Sequence, residues 1–348
     1  MPGAADRSHV GVRYAPPAPH GHVESYFLKA NDPRRRRALW IKATIFAPRA
    51  RPGASSPPRA IAETWAVAFD AAAGHVAVKT SVPYESARFS TTALDVEVLG
   101  LTLREDATRG TVASGGRRID WNLAMDAAAP PLAHFPADWM YSAPFPSSKL
   151  TSPIPDVRLR GEVVVNGVRW PVDGWHGLVG HNWGPRHAPL YAWGHCNTWD
   201  VEPGDPGRGG DARGDVVLEG VSARVKLGPV LSPVTTLLLL RHRGVSYALN
   251  ALHDLVTNRG EISKRRWKFE GKNDLLRVAG ELWGETDDFV GLFYPNPDGT
   301  MTHCLNTKIG RARVEIEVHG HAPFVVRSSS AALEIGTMDP HHGVRMYV

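Results

Sequence analysis

Glu219 stands among Val217, Val221 and Ala223 at every second position, and a β-strand would place all four on one face. Desolvation in such company raises a carboxyl pKa, so the residue is expected to stay protonated at neutral pH and to serve as a proton donor. A surface ion pair with Arg224 is the competing reading. A second concentration of chemistry lies upstream. Five of the eleven tryptophans and four of the sixteen histidines fall within residues 170–199, WPVDGWHGLVGHNWGPRHAPLYAWGHCNTW. Alternation along Tyr191–Thr198 puts Tyr191, Trp193, His195 and Asn197 on one face, with Ala192, Gly194, Cys196 and Thr198 on the other. The first face is expected to line a cavity, shared with Trp183 or His181. An ordinary barrel interior whose polar groups satisfy one another would give the same pattern. Trp175 and Asn182 belong to the same window, and Glu24 with Tyr26 form a further acid–aromatic pair near the start of the chain.

A proton donor in an aromatic, water-poor cavity suits protonation of a carbon–carbon double bond, the cation being stabilised by Trp and Tyr faces. Water captures that cation in a hydratase; an internal hydroxyl or alkene captures it in a cyclase. A pericyclic cyclisation needs less acid chemistry: the cavity folds the substrate while His181 or His195 polarises a carbonyl. The catalytic candidates are therefore Glu219, His181 and His195. The substrate-binding candidates are Trp183, Tyr191, Trp193, Asn197, Asn182, Trp175, Glu24 and Tyr26. A carrier of lipids or other hydrophobic ligands would need the cavity without the donor, and both readings stay open. His176, His181, His187 and His195 are spaced by five, six and eight residues, which matches no compact ligand motif, so no metal is expected. There is no Ser-His-Asp elbow and no phosphate-cradling Gly loop leading into a helix, so no cofactor is expected either.

The elements that must position these groups read as strands. Short runs rich in Val, Thr, Trp and Tyr recur between turn signals such as Asn166-Gly167 and Asn296-Pro297-Asp298-Gly299. Among them are Val23–Lys29, Leu39–Ala47, Ala62–Asp70, Arg158–Val165, Val168–Val172, Tyr191–Trp199, Val216–Val225 and Thr307–Val318. No segment keeps a helical apolar face beyond a turn or two, near Asp138-Trp139 and Leu252–Leu255. The fold class is all-β. At 348 residues two domains are expected, 1–185 and 186–348, with the Gly/Pro/charge-rich segments Glu202–Asp215 and Ala50–Pro58 as surface loops. Gly194-His195-Cys196-Asn197 and Thr302-His303-Cys304-Leu305-Asn306 form a faint echo, one in each half.

Gly180-His181-Asn182-Trp183-Gly184, then His187 and Tyr191–Asn197, resemble the lipocalin-like superfamily that includes carotenoid 1,2-hydratase (hydroxyneurosporene synthase). Tocopherol-cyclase-like proteins, fungal Diels–Alderases and the yeast survival-factor type of ceramide carrier are related to it. His22–Asn31 with Leu39–Pro48, Leu218–Arg224 and Asn306–Lys308 resemble it in the same order. The resemblance implies two lipocalin-like antiparallel barrels or sandwiches packed together around a ligand cavity. It also implies catalytic interest in His181, Trp183 and an acid matching Glu219. The hydratase pattern has a Tyr two residues before that acid, where this chain has Val217.

Composition bounds the partners. Hydrophobic residues make up 43% and charged residues 22%, the balance of a soluble globular protein, and the net charge of +5 is mild. Much of it comes from Arg34–Arg37, expected as a solvated turn between strands, with peripheral contact to anionic lipid as the alternative. No aromatic-studded basic strand accompanies it, so nucleic acid is not expected. The N-terminus lacks a signal-peptide pattern and no apolar run could span a bilayer. Cys196 and Cys304 make no disulfide framework, so a cytoplasmic location is the expectation.

Overall fold

Period-two patterning and frequent turns produce hairpins, and the hairpins join into two large antiparallel sheets. The computed structural model describes residues 9–50, 53, 58–200, 216–224, 226–227 and 230–348. The first sheet has twelve strands and runs from His22–Asn31 to Val168–Gly184; the second has ten and runs from Leu190–Cys196 to Phe324–Thr337. The break between them thus falls in the five residues after Gly184. Among the described residues a two-stranded ribbon, Lys226–Leu227 with Val230–Leu231, completes the set. The expected loop Glu202–Asp215 and most of Ala50–Pro58 lie outside the described residues.

Both sheets share one plan. The chain enters in the middle, meanders to one edge, crosses to the opposite edge and meanders back beside its first strand. In the first sheet the crossing runs only from Pro83 to Arg88. Five residues reach at most about 17 Å, so the two edges must curl towards each other. They do so: Val76–Pro83 packs on Ala107–Ser114 and Arg117–Ala127. In the second sheet the crossing from Leu249 to Arg259 holds the α-helical turn Asp254–Thr257. Asp138–Tyr141 forms a 3-10 turn, so both suspected helical turns are present and short.

Each curled sheet encloses an apolar core. Tyr26, Leu28, Leu159 and Val179 belong to the first; Ala192, Cys196, Leu218 and Leu333 belong to the second. A third cluster forms the seam where the sheets pack, with Phe27, Trp40, Trp65, Leu178, Trp193, Tyr294 and Ile309. Alternation decides the allegiance: on His22–Asn31, Tyr26 and Leu28 enter the first core while Phe27 enters the seam.

Three sequence expectations change here. The runs at 158–165 and 168–172 are parts of 17-residue strands, Lys149–Val165 and Val168–Gly184, which cross the whole sheet. Asp173 therefore lies within a strand, at a register shift opposite Leu159 and Arg160, where Gly174 has φ of 64°. The echoed His-Cys segments are not one in each half. Both flank Phe324–Thr337 in the second sheet, His195 opposite Ala332 and His303 opposite Thr337. Within the basic run, Arg36 is paired with Asp288 at 2.8 Å and Arg37 with Asp70 at 2.5 Å, whereas Arg34 and Arg35 are exposed.

Candidate functional site

The seam does not close completely. Between the sheets lies a cavity of about 210 Å³, walled by Phe27, Trp40 and Lys42 of the first sheet and Tyr191, Trp193 and Tyr294 of the second. Its polar wall includes His134, Asn182, His187 and Glu334. Two aromatic walls lie flat because glycines sit beneath them. A Cβ on Gly180 would meet Phe27 at 2.2 Å, and one on Gly336 would meet Tyr191 at 1.8 Å. Gly336→Ala is therefore expected to displace Tyr191 and to cost about 1–3 kcal/mol by overpacking, read as a lower midpoint in thermal denaturation. An unchanged midpoint would mean that the ring has free space to move into.

Of the candidates on Leu190–Cys196, Tyr191 and Trp193 line the cavity, and their small neighbours Ala192 and Cys196 enter the second core. His195 does not line it. Its Nε2 donates to the Pro155 carbonyl at 3.0 Å, its ring stacks behind Trp193, and burial pushes it down to about 3, leaving it neutral. Asn197 is also absent from the wall. It accepts from Lys29 Nζ at 2.7 Å and donates to Asp156 at 2.7 Å and to the Gly177 carbonyl at 2.9 Å, tying the two sheets together.

The Gly-His-Asn-Trp-Gly block is the last stretch of Val168–Gly184, and alternation splits it. Asn182 faces the cavity, as does part of Trp183. His181 turns into the first barrel, stacked on Tyr26 at 4.1 Å, with Nε2 on Glu24 and Nδ1 on the His9 carbonyl, both at 2.8 Å. Glu24 also accepts from His22 and from the backbone N–H groups of Arg13 and Tyr14, and Tyr26 donates to the Val10 carbonyl. His181, Glu24 and Tyr26 thus latch residues 9–14 onto the sheet and are fully occupied. Burial favours a protonated Glu24, but its histidine partners outweigh that and bring the carboxyl down to about 2. Trp175 packs beside Trp170 in the first core rather than against a ligand.

Glu219 is fully buried, as its apolar neighbours require, and Arg224 is engaged elsewhere, with the Ser232 carbonyl. The expectation of a protonated carboxyl does not hold. Burial does raise the pKa, but the charge and contact of His134, together with Ser152, pull it well below the usual carboxylate range. Ser152 donates at 2.7 Å, Trp193 Nε1 donates at 3.0 Å, and His134 Nε2 stands 3.2 Å away. Glu219 is behind the wall; His134 is in it. The imidazole is almost completely buried, and neither ring nitrogen has a hydrogen-bond partner among the described residues, Nε2 only approaching Glu219.

Sequence reasoning missed Phe27, Trp40, Lys42, Tyr294 and Glu334 of this wall, and also two histidines, His134 and His187. His134 comes directly after the two-residue strand Leu132–Ala133, and pairing of Leu132 with Ser152 brings it to Glu219. Its local sequence, PPLAHFPADW, carries no periodic signal. His187 was visible only as a widely spaced histidine. Burial, with Lys42 and Arg186 nearby, pushes it down to about 3, so it faces the cavity uncharged.

The architecture and cavity define the class: an all-β protein of two lipocalin-like sheets. A structure of a protein provisionally named AttH from Nitrosomonas europaea is similar over 99% of both chains, with TM-score 0.53 and 13% identity. A structure of CghA with Sch210972 is similar over 96% of this chain and 95% of that one, with TM-score 0.52 and 13% identity. Two uncharacterised proteins from strains of Mycobacterium tuberculosis are each 25% identical over 327 residues, 92% of this chain and 88% of theirs. No family model matches the sequence. Among the described residues no helix is long and apolar enough to cross a membrane.

Proposed function

We propose that the protein is a cofactor-independent hydratase or cyclase-type enzyme. Its substrate is a hydrophobic polyene, terpenoid or polyketide-like molecule held in the seam cavity, and His134 acts on it by protonation or polarisation. The observation that carries this reading is the Glu219–His134 pair, an ionised carboxylate behind the wall and, 3.2 Å from it, a buried imidazole in the wall with no hydrogen-bond partner among the described residues. Ser152 and Trp193 already donate to this carboxylate, and the His134 imidazole stands beside it as a third neighbour at 3.2 Å. Nδ1 has no partner among the described residues and is the atom assigned to donate to a ligand. A carrier has no use for an unpartnered imidazole set beside a buried carboxylate.

In the protonation form of the chemistry, the alkene π electrons take the Nδ1 proton and form a new C–H bond. Tyr191 and Trp193 stabilise the cation through their faces. Water or an internal nucleophile adds, and the proton it loses returns to Nδ1. A carbonyl substrate would instead accept a hydrogen bond from Nδ1, with cavity shape folding it for ring closure.

Lipid-soluble extract of the producing organism, prepared from a strain lacking this gene and incubated with purified protein, tests the reading by mass spectrometry. A product of unchanged mass and new retention indicates cyclisation, and gain of one water indicates hydration. A compound that co-purifies with the protein but is never altered would establish a carrier and sink the enzyme reading.

A further inference from the structure

Of the lysines and arginines of the cavity wall, Lys42 alone has no hydrogen-bonding or ionic partner among the described residues. Lys149, also in the wall, donates to the carbonyls of Met140 and Ala143. Arg186 pairs with Asp298 at 3.0 Å. The Lys42 residue is 5% exposed, and its ammonium lies in an aromatic box, 3.8 Å from the Tyr294 ring centre, 5.6 Å from Trp65 and 5.8 Å from Trp40. The neighbouring carboxylates are already committed. Glu63 takes Lys79 at 3.3 Å and the indole N–H of Trp65, and Glu334 takes Lys308 at 2.7 Å.

Aromatic faces return roughly 0.5–2 kcal/mol to a buried cation, against a desolvation cost of several kcal/mol. Burial accordingly lowers the Lys42 pKa, to about 8, which still leaves the group mostly charged at neutral pH. Glu334 and Glu63 act on this charge from a distance while bonded to other lysines, so an ammonium with no carboxylate bonded to it, on a mostly apolar wall, is a pre-organised place for one negative charge. Phe27, Leu150, Trp193 and Leu237 of the same wall offer only apolar contact, which suits a hydrocarbon attached to that charge.

We propose that Lys42 anchors a carboxylate, and that the ligand of the seam cavity is an amphipathic monoanion, a hydrocarbon chain ending in an ionised acid. The inference rests on the cavity being the ligand site, and it narrows the substrate class of the function proposed above.

The test compares cis-parinaric acid with its methyl ester, and decanoic acid with methyl decanoate as shorter competitors, by Trp fluorescence. The wild-type protein is expected to bind each acid about tenfold or more tightly than its ester, the size of one charge-assisted contact. Lys42→Met is expected to bind acid and ester alike, at the ester's affinity, while Lys42→Arg keeps the preference. Lys42→Gln replaces the Met variant if that one does not fold. Acid and ester binding equally well to wild type would overturn the anchor and leave the cavity reading standing. A preference that survives in Lys42→Met would also overturn it. Failure of all four compounds to bind would overturn both.

Discussion

His134→Gln is expected to lower turnover by about two to four orders of magnitude while ligand binding in the cavity survives. Gln keeps the approximate size and a hydrogen-bonding end but has no transferable proton. Glu219→Gln should fall by a similar factor, because it removes the negative charge standing 3.2 Å from the His134 imidazole. The two losses should not add in the double variant, since the residues act as one unit. His181→Gln supplies the contrast. His181 is bonded to Glu24 and His9 inside the first barrel, so its loss should reduce stability and leave kcat of the folded fraction near wild type. Single-turnover rates on the product identified by mass spectrometry, with Trp quenching as the binding check, decide the matter. A His134→Gln protein of normal turnover would remove His134 from the chemistry.

The second large effect concerns stability. Glu24 is fully buried and accepts from His22, His181 and two backbone N–H groups. Its carboxyl is lowered from 4.5 to about 2 in the folded protein, the histidine contacts overcoming the opposing effect of burial. A depressed folded pKa contributes stability that is complete above the unfolded value and is lost as pH falls towards the folded one. Glu24→Gln is thus expected to cost about 3 kcal/mol near pH 7, measured by urea unfolding, and progressively less as pH falls below about 4.5. Limited proteolysis should also cut near residues 9–14 sooner in the variant, because Arg13 and Tyr14 lose their acceptor. A gap between the two proteins that stays constant with pH would show that Glu24 is not the group titrating.

This latch explains the most recognisable motif in the chain. His-Asn-Trp reads as a catalytic triplet, yet period two sends its members to opposite faces: Asn182 to the cavity, and His181 to the seal of the first barrel. The same rule applied to residues 191–197 puts Tyr191 and Trp193 on the open side, where the structure has them and nothing local conflicts with it. It fails further along only in reach. His195 and Asn197 share that face, but the seam has closed over them, and their polar atoms serve the Pro155 and Gly177 carbonyls. How far a cavity extends along a strand depends on the opposing sheet, which a single strand does not encode.

Glu219 shows the same division in electrostatics. Its burial stems from Val217, Val221 and Ala223, a local fact. Its ionisation depends on His134, 85 positions earlier in the sequence, carried there by the pairing of a two-residue strand. Lys42 likewise meets Tyr294 only because the two sheets pack face to face. Sequence alone determined the all-β class, the short strands between turn signals and the aromatic face of residues 191–193, because alternation and turn chemistry act within a few residues. Tertiary structure decided that the buried acids Glu24 and Glu219 are ionised, that His134 and His187 face the cavity, and that Lys42 of its wall has no ionic partner among the described residues. Desolvation and Coulomb forces act on whatever packing brings within a few ångströms, and here it brings together residues from opposite ends of the chain.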